Sequence, residues 1–224
     1  MCLPQGRRRG ASSLPPVWSG FAALLGVGAG AGACFAAGGG REAAGRKRLL
    51  LPCLLCAVGF PTILQVHGPS VVTLRFWLLL WLLVLLALTD VRTGWIPDRW
   101  LLTGAGLFVL SAPFVEGEPL AGLLGGVMVS VPLLGLVLLA DKISGKETMG
   151  GGDVKLFFIC GLFLGWRLGL MHVILSCVFG IGLAPVLKKG DGTLPFAPAI
   201  CLAGLGVMLW GERILEWYLS LFGL

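Results

Sequence analysis

The 224-residue chain is 57% hydrophobic and only 12% charged, with a mean hydropathy of +0.94, which leaves too little polar surface to cover a water-soluble globule. Its formal charge of +6 comes from short basic clusters set between apolar runs, so it reads as a set of membrane topology signals and makes no case for a nucleic-acid partner. Seven cysteines, odd in number and scattered through apolar segments, argue against a disulfide framework.

The composition predicts an all-α, polytopic integral membrane bundle of about seven or eight helices with lipid around it. The uncharged windows are Ala11–Gly40, Leu49–Ser70, Phe76–Thr89, Trp100–Val115, Leu120–Ala140, Leu156–Trp166, Leu168–Leu187 and Phe196–Gly211. Several approach the roughly 20 residues that a helix needs to cross hydrocarbon. No period-2 alternation speaks for a transmembrane barrel.

Residues 1–48 form a Gly/Ala/Arg-rich extension or a marginal first span, with Arg7, Arg8 and Arg9 ahead of Val17–Ala37 and a second basic cluster at Arg41, Arg46, Lys47 and Arg48. Residues 49–224 are the membrane domain. In it, Cys53-Leu54-Leu55-Cys56 has no second pair to complete a tetrahedral metal site, so the two cysteines read as small apolar helix residues. If the loop with Arg46–Arg48 is cytoplasmic and spans alternate, the loops around Arg92/Arg99, Lys142/Lys146/Lys155 and Lys188/Lys189 are cytoplasmic too. That alternation places Asp90 and Asp153 on one side of the membrane.

Pro97 restricts Ile96 to extended backbone and suits the first turn of a new helix, where Asp98 is favoured. A short outer turn is expected at Gly165-Trp166-Arg167. The last residues place Glu212, Arg213, Glu216 and Ser220 on one helical face and Ile214, Leu215, Tyr218, Leu221 and Phe222 on the other, which suits a helix lying at the interface. His67 and His172 read as helix-end residues toward the outer side.

Two carboxylates carry the chemistry. An ionisable residue at membrane depth costs at least a few kcal/mol, roughly 3 on insertion scales, and is a functional candidate. Asp90 alone reads equally as a helix-terminal charge at headgroup level, and Asp153 as the N-cap of the next helix. Brought together, the two cannot both ionise cheaply, so one holds a proton while the other takes one from water, a ready general acid/base pair. Gly150, Gly151 and Gly152 allow extended or left-handed backbone against which an unwound substrate strand can pair. Lys155 either brings positive charge near Asp153 or snorkels to the surface, the second being favoured.

These residues resemble a known family. Asp90 followed by Ile96-Pro97-Asp98, then Gly150-Gly151-Gly152-Asp153-Val154-Lys155-Leu156, then Leu194-Pro195-Phe196-Ala197-Pro198 is similar to the bacterial type IV prepilin peptidases, the G-x-G-D class of membrane aspartic proteases. The resemblance covers about Leu49 to Gly211. It implies a multi-pass enzyme of the bacterial inner membrane, working at the cytoplasmic face without metal or cofactor. Its partners would be prepilin or pseudopilin substrates, whose basic leaders are typically cut after a glycine. The catalytic aspartates carry over to Asp90 and Asp153, Asp98 is a supporting candidate, and Pro195 and Pro198 would lie beside the site. Larger members carry a polar insertion with two C-x-x-C pairs and methylate the new N-terminus. This chain has one such pair, in an apolar run, so peptidase without methyltransferase activity is expected. The presenilin-like relatives carry a Tyr-Asp site and a Pro-Ala-Leu motif, which this sequence lacks. A transporter component using the same aspartates for ions or protons is the alternative.

Overall fold

The structure, a computed structural model, describes residues 16–37, 46–115, 118–146, 149–187 and 194–221. Arg7–Arg9, Arg41 and the Lys188/Lys189 loop lie outside the described residues. Among the described residues seven α-helices follow one another: α1 (Pro16–Ala36), α2 (Arg46–His67), α3 (Val71–Thr93), α4 (Asp98–Ser111), α5 (Glu118–Ser144), α6 (Gly151–Leu187) and α7 (Ala197–Leu221). A 3₁₀ turn, Ala112–Phe114, follows α4. No strand occurs among the described residues, and six helices are long and apolar enough to cross a membrane, α6 counted as one. Their outer faces expose Leu102, Leu110, Leu136, Ile181 and many similar side chains, a surface that suits hydrocarbon and would be a liability in water. The chain is an integral membrane protein.

Local chemistry sets the helix boundaries. Ser70 caps α3 by accepting from the Thr73 amide at 3.3 Å, and Gly94 ends it at φ 68°, donating its N–H to the Asp90 carbonyl at 2.7 Å. Glycine is needed at Gly94 because other residues rarely take left-handed backbone. Pro97 is extended at φ −71°, ψ 129°, so α4 begins at Asp98, as its sequence suggests.

α6 is not one straight rod. Gly165, at φ 74° and ψ 178°, interrupts it, and the chain reverses there. The rings of Phe157 and His172, fifteen positions apart, lie 5.4 Å centroid to centroid, whereas a straight helix would separate them by about 22 Å. The hairpin has a first limb, 151–164, and a second, 166–187, which realises the expected turn at Gly165–Arg167. Against its bend packs α5, at a contact built from glycines. A Cβ on Gly125 would come within 2.5 Å of the Gly161 carbonyl oxygen and 2.7 Å of Gly165 Cα. α1 meets α2 the same way, Gly30 lying so near Cys53 that a Cβ would sit 2.6 Å from its Cα. Small residues let helices approach closely where lipid supplies no hydrophobic drive.

α3 is the axis of the bundle. Leu79, Leu80, Leu82, Leu83, Leu85 and Leu86 are all buried, and α3 touches α1, α2, α4, α6 and α7. A helix apolar on every side finds its place by burial on every side. Arg75, in the charged flank left outside the Phe76–Thr89 window, is also buried within α3, its guanidinium 5.3 Å from the Phe108 ring and 5.6 Å from the Phe163 ring. α7 runs unbroken to Leu221, so the amphipathic stretch from Glu212 to Ser220 forms its last turns.

Candidate active site

Neighbouring helices run antiparallel, so one end of the bundle collects the C-termini of α1, α3 and α5 and the N-termini of α2, α4, α6 and α7. All three sequence motifs meet there. Asp90, in the last turn of α3, is 6% exposed. Its Oδ2 accepts the Ala197 backbone N–H at 3.0 Å. That amide is available because Leu194-Pro195-Phe196 runs without helical structure and α7 opens at Ala197, leaving a first-turn N–H without an intrahelical acceptor. The carboxylate also meets the positive end of the α7 dipole. Pro195 is buried and Pro198 half-buried.

Asp153 is the third residue of α6, half-buried, its amide donating to the Gly150 carbonyl at 3.0 Å. Its carboxylate folds back over Gly150, where a Cβ would lie 3.6 Å from Oδ2. It stands close enough to Asp90 for the two charges to repel. The two motifs are clamped on either side of that approach. Ile96, buried, packs onto Gly152 so closely that a Cβ there would be 3.1 Å from its own. Lys155 Nζ donates to Asp98 Oδ1 at 2.7 Å. Beside Asp90, Arg92 donates from Nη1 to the Ala37 carbonyl at 3.3 Å and from Nη2 toward Cys34 Sγ at 3.5 Å, tying α1 to this end.

Two expectations are corrected. Gly151 and Gly152 are helical, and none of the three glycines has left-handed backbone, so beyond Gly150 the run is not an extended bed. Helical geometry wins because it lets Ile96 pack against Gly152. Lys155 does reach the surface, as favoured, and there pairs with Asp98. His172 is no helix-end residue: it is fully buried, because the hairpin carries its limb back into the core. The Ala197 amide, which a sequence shows only as a proline-flanked helix start, was not among the expected site groups.

Two carboxylates stand at the same end of the bundle, one buried and amide-bonded and the other more open, a combination with the chemistry of a general acid/base pair. Among the described residues no three His, Cys, Asp or Glu side chains converge as metal ligands.

The model of the Type IV leader peptidase family matches residues 77–184, a stretch that holds Asp90, Asp98, Gly150–Asp153 and Lys155. The chain is 34% identical over 190 residues to a prepilin leader peptidase/N-methyltransferase of Aeromonas salmonicida, covering 81% of this chain and 64% of the relative. It is 32% identical over 194 residues to the protein of the same name in Pseudomonas putida, covering 82% and 67%. A Bacillus subtilis relative is 30% identical over 188 residues, covering 77% and 68%. The matched part is thus just under two thirds of the length of the Aeromonas protein. No solved structure matches the chain.

Proposed function

We propose, from the premise that this chain belongs to the type IV leader peptidase family, that it is an aspartic endopeptidase removing the basic leader of prepilins or pseudopilins at the cytoplasmic face of the bacterial inner membrane. The observation that carries the reading is the convergence of Asp90 and Asp153 at one end of the bundle, from helices far apart in sequence. A water held between them would lose a proton to the ionised carboxylate and add as hydroxide to the scissile carbonyl carbon. The protonated partner would give its proton to the departing amine. Water is thereby divided between the two new termini, and the pair returns with its single proton exchanged between the two members.

The orientation rests on charge. Arg92, Arg99, Lys142, Lys146 and Lys155 belong to the end that carries the aspartates, and α2 starts there with Arg46, Lys47 and Arg48, the bias expected of a cytoplasmic face. The substrate would approach over Gly150 and Gly151, since a Cβ on Gly151 would meet nothing within 4 Å.

The direct test is co-expression with candidate prepilins and mass measurement of the mature N-terminus. A shortened chain beginning just after the leader is the expected result, and an intact leader with every candidate would refute the reading. The Asp98–Lys155 pair should be secondary. Its side chains are 59% and 60% exposed, and exposed pairs are worth about 0–1 kcal/mol. Asp98→Asn and Lys155→Ala are each expected to keep partial cleavage, and total loss in Asp98→Asn would place that residue in the chemistry itself.

A further inference from the structure

His172 has no exposed surface, and the other buried polar side chain among the described residues of its limb, Ser176, donates to the His172 carbonyl at 2.7 Å rather than to the ring. Its Nε2 lies 2.9 Å from the Ile200 carbonyl oxygen. A carbonyl only accepts, so Nε2 bears the proton and donates. Nδ1 is then the bare ring nitrogen, buried without a hydrogen-bond partner among the described residues. Leaving such an atom unbonded costs about 1–3 kcal/mol, a penalty that a phenyl ring of similar shape would avoid. What the imidazole offers in return is its bond to Ile200.

That bond lands in the first turn of α7. Ala199 and Ile200 both donate to the Phe196 carbonyl, at 3.0 and 3.2 Å, and Ala197 supplies the amide on Asp90. On its other side the imidazole packs against Phe157, one turn beyond Asp153, and Phe157 in turn meets Phe196 at 6.4 Å between centroids. Gly204 faces the ring: a Cβ there would stand in ordinary contact with Nε2 at 3.5 Å and press on Leu83 Cδ1 at 2.7 Å. His172 therefore touches the helix bearing Asp153 and grips the turn that holds Asp90.

We propose that His172 is a positioning residue, which, by donating to the Ile200 carbonyl, fixes the height and tilt of the first turn of α7 and so aims the Ala197 amide at Asp90. The proposal rests on reading Asp90 as catalytic.

The test compares His172→Phe, which keeps a ring but no donor, with His172→Gln, whose amide nitrogen reaches the level of Nε2. In the full-length protein with a prepilin substrate, His172→Phe is expected to lose about tenfold in kcat at unchanged KM, and His172→Gln to recover most of it, since small misplacements of a reacting group cost this much or more. Amide exchange at Ala199 and Ile200 should quicken in His172→Phe and return to the native rate in His172→Gln. If the Phe variant does not fold, His172→Asn, whose amide stops at the level of Nδ1, serves as the variant without the bond. Native kcat in the bondless variant, equal losses in it and in His172→Gln, or a change confined to KM would each overturn the proposal. Cleavage surviving Asp90→Ala would instead refute the reading of the site, and the exchange rates would still decide whether His172 holds α7.

Discussion

Asp90→Ala and Asp153→Ala are each expected to abolish leader cleavage, by at least about a hundredfold as loss of a general acid or base requires, while the protein still inserts. The two should differ in stability. Asp90 accepts a buried amide at 3.0 Å, and a hydrogen bond to a charged group contributes about 1.5–3 kcal/mol. Asp90→Ala therefore leaves Ala197 unsatisfied and should lower the unfolding midpoint in detergent. Asp90→Asn keeps an acceptor and should restore stability without restoring cleavage. Asp153 accepts no hydrogen bond from a described residue and stands against the Asp90 charge, so Asp153→Ala should leave the midpoint unchanged or raise it. Cleavage surviving either alanine would sink the two-carboxylate mechanism. A drop in stability as large for Asp153→Ala as for Asp90→Ala would contradict the asymmetry between the two.

The second large effect is expected at the α5–α6 contact. A Cβ on Gly161 would lie 2.8 Å from both the Gly125 carbonyl oxygen and Gly126 Cα. These are backbone atoms with no rotamer to change, so Gly161→Val must part the helices, at about 3 kcal/mol or more. Gly165→Val adds a different penalty, since φ 74° with ψ 178° is backbone that essentially only glycine adopts. Both variants should give little folded protein and a broad, early thermal transition. Gly135→Ala is the control: it meets nothing within 4 Å in α5 and should be neutral or stabilising by about 0.5–1 kcal/mol. Native-like unfolding of Gly161→Val would show that the close glycine contact is not what holds the hairpin to α5.

Much of the fold is written locally. Apolar runs of spanning length, the break before Arg167 and the Pro97-Asp98 helix start depend only on short-range backbone chemistry and on the cost of charge in lipid, and each has its counterpart in the structure. That Asp90 and Asp153 lie at one end of the bundle was also foreseeable, because counting alternate spans puts both there. The environment of these residues was less accessible. A glycine run is compatible with extended strand or helix alike, and Ile96, packing onto Gly152 from the connection between α3 and α4, favours the helix. Lys155 has a long stem that suits the surface, and only the placement of α4 beside α6 supplies Asp98 as its partner.

The sequence by itself determined an all-helical membrane bundle and the convergence of its three motifs on one end, because hydrophobic length and helix boundaries are properties of contiguous residues. Only the tertiary structure decided that Asp90 binds the first amide of α7, that Arg75 lies between aromatic faces, and that His172 is a core residue gripping Ile200. Those contacts join side chains and backbone atoms many positions apart, through a hairpin whose turn is local but whose packing is not, and their energies exist only once the helices have packed.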